Sequence, residues 1–492
     1  MTTGLDAEIP ARAARYLDRD FRLLIGGRLQ PALSGGTYDV FSPATETKIA
    51  AVPDGAAADV ELAVQAAEAA RPGWRRTPVL ERAAIVRGLA EVIEANGEEL
   101  AWLDAIDAGS PISNARNDIA MAAEHLRMFA ALAFEIKGST IPASNNVHYT
   151  LREPIGVCAR IVPFNHPLMF ACKFAAPLVA GNCVIVKPPE IAPLSTLRLG
   201  ELLADQLPPG VLQFVVGDGP ETPRAIVRHP QVRRIGFIGS EPTGRALQRE
   251  AAEVTVKDIT LELGGKNAML VFPDADIEKA AAGAVFGMNF TWSGQSCGSN
   301  SRLLVHESIA EEITRLVVAE VEARTVGSPF DEDCQQGPLV SQRQLDRALH
   351  YVRTAQDEGA TVLTGGVRPD GLARGYYLRP TVLGGVTPES TIAREEVFGP
   401  VLSILTFRSE DEAVEIANSV EYGLTASVWT SDVSRAHRVI GALEAGFTWI
   451  NGASRHFPNV PFGGYKSSGI GREESLEELL SYTQTKAVNV IF

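Results

Sequence analysis

The feature that most constrains this fold is an alternation of short apolar runs with helical patterns, which starts near residue 156. The apolar runs at residues 156–162 and 183–186 are each followed by a stretch with helical spacing. The pattern resumes after Asn267 with runs such as 268–271 and 401–407. Strand–helix repetition at this length is typical of parallel sheets covered by helices. We therefore predict two α/β domains that meet near residues 262–267, with ligands bound beyond the carboxyl ends of the strands.

The composition narrows the classes of function. The chain has 492 residues, which predicts several domains, and a net charge of −15, which argues against a nucleic-acid partner. No apolar stretch is long enough for a signal peptide or a membrane span, so we expect a soluble cytoplasmic protein. The histidines are scattered and predict no metal site. An odd, sparse set of cysteines indicates a reducing compartment; these are Cys158, Cys172, Cys183, Cys297 and Cys334.

Two residues carry the most chemical information. Cys297 lies among Gly, Ser and Gln residues, and Glu262 begins the segment Glu262-Leu263-Gly264-Gly265-Lys266. A thiol can act as a nucleophile and a carboxylate as a base, and glycines let the backbone turn tightly beside a ligand. A cysteine that serves only in packing is usually surrounded by aliphatic residues. The alternative is that Cys297 is one more buried cysteine, a type of residue common in cores.

Seven short motifs occur in an order that resembles the NAD(P)-dependent aldehyde dehydrogenase superfamily, from about residue 20 to the end of the chain. The motifs are Pro163-Phe164-Asn165-His166-Pro167, residues 187–190, 237–240, 262–266, 294–297 and 395–400, and Pro461-Phe462-Gly463-Gly464-Tyr465-Lys466. The resemblance implies two doubly wound parallel-sheet domains and a small β arm for oligomerisation. It places a Rossmann-like NAD-binding domain at 1–136 and 155–264, a catalytic domain at 265–467, and the arm at 137–154 and 480–492.

The resemblance also implies catalytic roles. Cys297 would attack the aldehyde, Asn165 would donate its amide to the oxyanion, and Glu262 would be the general base. Glu473 would relay protons from this base, with a salt bridge on a surface helix as the alternative. The implied cofactor residues are Pro163, Phe164, Lys187, Glu190, Gly239, Ser240, Gly264, Glu396 and Phe398. Of these, Lys187 and Glu190 would hold the adenine ribose, Ser240 the pyrophosphate and Glu396 the nicotinamide ribose.

Two local patterns bear on ligand choice. Glu190 would repel a 2′-phosphate, which predicts NAD in preference to NADP. Ser240 follows an apolar run and is predicted to cap a helix whose free N–H groups could bind a phosphate, although the Gly-x-Gly-x-x-Gly fingerprint is absent. The predicted substrate tunnel contains His166, Trp292, Arg455, His456 and Phe457. Its histidines either serve in packing or select an aldehyde that carries a hydroxyl or a carboxylate.

We therefore expect NAD-dependent oxidation of a small aldehyde to a free carboxylic acid, through a thiohemiacetal and a thioester that water hydrolyses. Three rivals stay open: a CoA-acylating semialdehyde dehydrogenase, a cofactor-independent cysteine esterase, and a binding protein on a retired enzyme scaffold. Glu262 argues against CoA acylation, and the cofactor motifs argue against an esterase. No membrane partner is expected. The apolar strand at residues 487–492 has no nearby partner, which together with the arm predicts a homodimer or homotetramer.

Overall fold

The computed structural model describes residues 8–492, which form two large sheets. The first sheet has eight strands. From edge to edge they are Arg28–Gln30, Leu23–Ile25, Leu212–Phe214, Cys183–Lys187, Val157–Ile161, Val232–Ile238, Asp258–Glu262 and Gly469–Ile470. The five central strands are parallel, and the flanking strands pair antiparallel to them. This sheet and the second, seven-stranded sheet confirm the predicted α/β class with two doubly wound sheets.

The order of the central strands creates a crevice. The chain starts in the middle at Val157–Ile161, moves outward to Leu212–Phe214, and then returns to the other side at Val232–Ile238. Because such crossovers are right-handed, the helices on the two sides of this reversal cover opposite faces of the sheet. The carboxyl ends of Val157–Ile161 and Val232–Ile238 therefore border an open switch point, where doubly wound folds bind ligands. Pro163 and Gly239 lie just beyond these two strand ends.

The second sheet has seven strands, and all but one edge strand are parallel. In spatial order they are Thr361–Thr364, Thr381–Gly384, Val401–Phe407, Arg302–His306, Ala268–Val271, Thr425–Trp429 and Phe447–Ile450. The sequence pattern does not predict Thr381–Gly384, whose four residues are too short for a periodic signal. The strand Asp258–Glu262 of the first sheet ends at Glu262, and the strand Ala268–Val271 of the second sheet begins at Ala268. One short segment therefore joins the carboxyl end of a strand in the first sheet to the amino end of a strand in the second.

Helices pack on these sheets, and their bounds depend on local chemistry. One helix predicted at 170–180 is two, Pro167–Ala171 and Ala175–Ala180, joined by a 3-10 turn. Pro177 has no N–H to donate to Lys173, which favours the break between the two helices. The other α-helices are Ala11–Ala14, Ala57–Arg76, Val79–Ala95, Gly97–Asp107, Ile112–Ala131, Leu194–Leu203, Glu221–Arg228, Glu241–Ala252, Ile277–Gly287, Ala310–Glu322, Gln342–Asp357, Thr391–Arg394, Glu410–Asn418, Val433–Ala442 and Leu476–Ser481. Among residues 8–492, no helix combines the length and apolarity needed to cross a membrane.

A separate two-stranded sheet forms an arm. Val147–Pro154 pairs antiparallel with Thr483–Val490 over eight residue pairs. The strand predicted at 487–492 begins earlier, at Thr483, and its partner lies more than 300 residues earlier in the chain, outside its own neighbourhood as expected. The remaining strands form two small antiparallel pairs, Thr37–Phe41 with Lys48–Pro53 and Tyr422–Gly423 with Tyr465–Lys466.

Candidate active site

Cys297 lies in a loop whose backbone is held on both sides. The 3-10 turn Phe290–Trp292 precedes it and is flanked by left-handed residues, Asn289 and Ser293, a strained geometry that clusters at functional sites. Asn267 donates its amide to the Cys297 carbonyl at 2.7 Å. A side chain on Gly294 would collide with the Gly399 carbonyl, at 2.2 Å, so only glycine permits this approach. The loop therefore fixes the position of the thiol relative to both neighbouring motifs.

The thiol of Cys297 differs from the other cysteines by its exposure. All the other cysteines are buried, whereas Cys297 is half-buried against the aromatic side chains of Phe447, Trp449 and Phe462. Burial, followed by the carboxylates of Glu262 and Glu396, raises the pKa of the Cys297 thiol to about 12. At neutral pH this thiol is protonated in the free protein, so attack requires a nearby proton acceptor.

Glu262 is a carboxylate without a partner. It ends the strand Asp258–Glu262, its side chain is 3% exposed, and neither carboxylate oxygen accepts a hydrogen bond within the described residues. Burial, reinforced by the charge of Glu473, raises the pKa of Glu262 well above its usual value. A buried, unpaired carboxylate is costly in a protein core, and such groups occur where chemistry requires them. The Gly239 N–H donates to the Glu262 carbonyl at 3.0 Å, which ties this strand end to the switch point.

Asn165 lies directly beyond Val157–Ile161 and is 6% exposed. Its Oδ1 atom is buried without a partner, and so is the indole N–H of Trp292. Both residues line one small cavity together with Phe164 and Gln295. An amide with its oxygen turned to this side presents its N–H groups to the other, which is the orientation that an oxyanion donor needs.

Glu473 occupies a buried ion cluster rather than a surface helix. Its carboxylate lies 2.8 Å from Arg160 and 2.7 Å from Lys173, and its side chain is fully buried. Burial raises the pKa of Glu473, but the two cations outweigh it and hold the pKa at about 2. The alternative of a salt bridge on a surface helix is therefore right about the salt bridge and wrong about the surface helix, since residue 473 precedes the helix Leu476–Ser481 and is buried. A carboxylate held this way stays ionised at neutral pH.

The predicted adenine-ribose pair forms at a strand end of the first sheet. Lys187 ends Cys183–Lys187 and donates to Glu190 at 2.7 Å. Burial raises the pKa of Glu190, but Lys187 outweighs it and lowers the pKa below the usual value, so this group remains a carboxylate. Both side chains therefore present charged hydrogen-bonding groups at the same edge as the switch point.

Gly239 and Ser240 form the next turn along this edge. A Cβ on Gly239 would lie 2.5 Å from the Phe237 ring, so glycine is required here. Ser240 precedes the helix Glu241–Ala252, as predicted for a cap, but its hydroxyl bonds the Thr243 hydroxyl at 2.8 Å and not a backbone N–H. Ser240 therefore occupies the predicted N-cap position but does not make the side-chain hydrogen bond of a cap. The Ser240 side chain accepts no hydrogen bond from the backbone N–H groups in the first turn of this helix, and such N–H groups can bind a phosphate.

The second sheet contributes Glu396 and Phe398. The Gly265 N–H donates to Glu396 at 2.9 Å, and a Cβ on Gly264 would lie 2.2 Å from the same carboxylate. Phe398 is left-handed, with φ of 56°, and its ring meets Phe164 edge-on at 5.8 Å. Predicted cofactor residues that belong to the loops of both sheets are thus brought into contact.

The substrate candidates divide into two groups. His166 bonds Asp118 at 2.8 Å and packs 4.9 Å from the Trp292 ring. His456 bonds Glu474 at 2.8 Å and stacks on Phe447, in the aromatic cluster that contacts Cys297. Arg455 and Phe457 are exposed, and the Arg455 carbonyl accepts a hydrogen bond at 2.9 Å from the indole of Trp449, a member of that cluster.

Sequence reasoning missed the residues that hold the predicted ones. These are Asp118, Arg160, Lys173, Asn267 and Glu474. A signal exists for two of them, because Arg160 and Lys173 interrupt otherwise apolar runs that read as buried elements. Buried cations need partners, so each marks an ion pair. Asp118 and Glu474 carry no such signal, since charged residues on helices and loops are usually solvated.

Comparison with known proteins agrees with this geometry. The sequence model of the aldehyde dehydrogenase family matches residues 31–488. Aldehyde dehydrogenase tropH of Talaromyces stipitatus is 42% identical, with 98% of this chain and 95% of that protein covered. The NAD+ complex of an aldehyde dehydrogenase from Bacillus cereus superposes with a TM-score of 0.95 at 39% identity, covering 99% of each chain. An NAD-dependent aldehyde dehydrogenase from Sinorhizobium meliloti superposes with a TM-score of 0.95 at 36% identity, and the match covers 100% of this chain and 98% of that one. This chain belongs to the aldehyde dehydrogenase family.

Proposed function

We propose that the protein oxidises an aldehyde to a free carboxylic acid with NAD, through a covalent adduct on Cys297. The observation that carries the proposal is the Glu262 carboxylate, which is buried, unpaired and close enough to raise the pKa of the Cys297 thiol. A base kept free beside a nucleophile is what thioester hydrolysis requires. The resemblance to NAD complexes of related enzymes supports the choice of cofactor.

The residues at the switch point fit NAD. Lys187 and Glu190 would bind ribose hydroxyls, the helix that begins after Ser240 would receive the pyrophosphate, and Glu396 would bind the second ribose. The glycines at 239 and 264 leave room for close backbone approach. NAD supplies the acceptor for the hydride that leaves the substrate carbon. An ionised Glu190 disfavours a 2′-phosphate, which supports NAD over NADP.

The protein residues act in a definite order. The Cys297 thiol gives up its proton to solvent water, and the sulfur adds to the aldehyde carbon. The resulting oxyanion receives hydrogen bonds from the Asn165 amide and from the Cys297 backbone N–H. One such donor typically contributes about 3–4 kcal/mol to a barrier. After oxidation leaves a thioester, Glu262 removes a proton from the attacking water, and the acid departs with the thiol restored.

The proposal is tested by the stoichiometry of Glu262→Gln. The amide cannot act as a base in deacylation, so rapid mixing should release about one NADH per active site, followed by a steady rate reduced about 100-fold or more. Cys297→Ala should retain NAD binding by calorimetry and lose the burst.

The same experiment separates the rivals. Full steady turnover of Glu262→Gln would show that the base is misassigned, and turnover restored by CoA would indicate an acylating enzyme. Ester hydrolysis that does not respond to NAD, with no NADH from any aldehyde, would favour the cofactor-independent esterase.

A further inference from the structure

The region beside Asn165 contains a histidine fixed by a buried carboxylate. His166 bonds Asp118 through Nδ1 at 2.8 Å, and the Asp118 carboxylate is 2% exposed. A carboxylate can only accept, so Nδ1 carries the proton of this bond. In the neutral ring the other nitrogen, Nε2, is then a hydrogen-bond acceptor, and no described residue bonds it. Asp118 thus determines what the free nitrogen can recognise.

The walls around this imidazole are aromatic. The rings of Trp292 and Phe170 lie 4.9 and 5.4 Å from the His166 ring. Cys297 itself packs against a second aromatic cluster that contains Phe447 and Phe462. Aromatic surfaces at these two sides favour a flat acyl group, which can pack face or edge against them. The aldehyde carbon must reach Cys297, so the substituents of such a group extend along these walls.

The charges behind His166 argue against an anionic substituent. Asp104 and Asp118 are both buried on the helices Gly97–Asp107 and Ile112–Ala131, and their charges interact. The buried cations near the site, Arg160 and Lys173, are engaged by Glu473. A carboxylate on the substrate would therefore meet the negative charge of these acids behind His166, whereas a neutral hydroxyl would meet a ready acceptor.

We infer that the substrate is a flat, aromatic or conjugated aldehyde that carries a hydroxyl, and that this hydroxyl donates to Nε2 of His166. The inference rests on the proposed function and adds to it the substrate class. His166 is then a specificity residue, and Asp118 is a positioning residue that acts through the ring. Of the two substituents that the sequence leaves open, the structure favours the hydroxyl.

The test compares substituted benzaldehydes. The 2-, 3- and 4-hydroxy compounds are compared with their methyl, methoxy and carboxy counterparts, and kcat/KM is followed by NADH absorbance. At one ring position the hydroxy compound should exceed the methyl and methoxy analogues by about tenfold, because only it can donate to Nε2. Equal values at every position, or a preference for the carboxy series, would overturn the inference even without any variant.

Three variants locate the effect. In His166→Phe, which keeps an aromatic ring but no acceptor, the hydroxy-to-methyl ratio should fall to about one. Asp118→Asn should reduce the ratio as well, because an amide no longer compels Nδ1 to carry the proton. His456→Phe is the matched control, since its ring is also held by a carboxylate, and it should keep the ratio.

A ratio that survives His166→Phe, or that collapses only in His456→Phe, contradicts the assignment. Unsubstituted benzaldehyde distinguishes the two levels of failure. If benzaldehyde yields NADH but the hydroxy compounds are not preferred, this inference alone is contradicted. If no aldehyde yields NADH, the proposed function itself is contradicted.

Discussion

At the scale of single residues, the site depends on unusual burial of charge. Glu262 is buried and unpaired, while Glu473 is buried and paired twice, although both are glutamates within one cluster. Their pKa values shift in opposite directions because burial, with the charge of Glu473 added to it, raises the pKa of Glu262, whereas at Glu473 two cations outweigh the effect of burial. Two titratable groups whose environments separate their pKa values can take different roles. We therefore propose base chemistry for Glu262 and charge balance for Glu473.

The assignment for Glu473 predicts a stability effect. Glu473→Gln removes the counter-charge of Arg160 and one of the two carboxylates that contact Lys173, and it should reduce the free energy of unfolding by about 3–5 kcal/mol, measured by urea denaturation. Because its folded pKa is below the unfolded value, this stabilisation is present above about pH 4.3 and is lost as pH falls towards 2.

The matched control for that change is Glu477→Gln, which alters an exposed glutamate in the adjoining helix Leu476–Ser481. It should change stability by no more than about 0.5 kcal/mol. A Glu473→Gln protein that keeps its stability but stalls after one NADH would instead assign proton relay to this residue.

Cofactor choice also belongs to this scale. Glu190→Gln removes the charge that opposes a 2′-phosphate, so the ratio of kcat/KM for NAD to that for NADP should fall about tenfold or more. Glu201→Gln, on the helix Leu194–Leu203, removes a carboxylate already paired with Arg198 and should leave the ratio unchanged. An unaltered ratio in Glu190→Gln would mean that other groups exclude NADP.

At the scale of elements, strand ends supply the chemistry and helix starts supply the caps. Val157–Ile161, Cys183–Lys187, Val232–Ile238 and Asp258–Glu262 each end beside a residue of the candidate site. Strands of this kind are buried on both faces and read as continuous apolar runs, which explains why their positions can be predicted. Asp258–Glu262 is the exception, because its charged first and last residues hide the strand from a hydrophobicity pattern.

One helix start allows a quantitative check. Asp432 caps the helix Val433–Ala442 by accepting from the backbone N–H groups of Ser434 and Arg435. Asp432→Ala should cost about 1 kcal/mol of stability, measured by denaturant unfolding of the second domain's transition. Asp432→Asn retains a side-chain oxygen and should cost much less. Equal losses in the two variants would show that the charge, and not the cap, is the stabilising feature.

At the scale of the whole molecule, the arm is the element least able to stand alone. A two-stranded sheet is at best marginally stable in water, yet Val147–Pro154 and Thr483–Val490 pair over their full length. The chain ends beside them with Ile491 71% and Phe492 86% exposed. Apolar groups exposed next to an uncovered sheet mark an association surface, and we propose a second copy of this chain as its partner.

This proposal predicts an assembly in solution. Light scattering of the full chain should give a dimer or tetramer, and the double change Ile491→Ser and Phe492→Ser should shift the mass towards the monomer. Val256→Ser, at an apolar residue 87% exposed away from the arm, should leave the mass unchanged. A monomeric full chain would exclude the arm as an interface.

Sequence patterns predicted the α/β fold class, the turns at strand ends and the candidate pair Cys297 and Glu262, because apolar periodicity and glycine-rich turns are local properties of the chain. Tertiary structure alone decided that Glu473 is buried between Arg160 and Lys173, that Asp118 orients His166, and that the last strand pairs with Val147–Pro154. Each of these depends on contacts between distant segments. Burial and charge partners exist only once those segments pack, so no local pattern can report them.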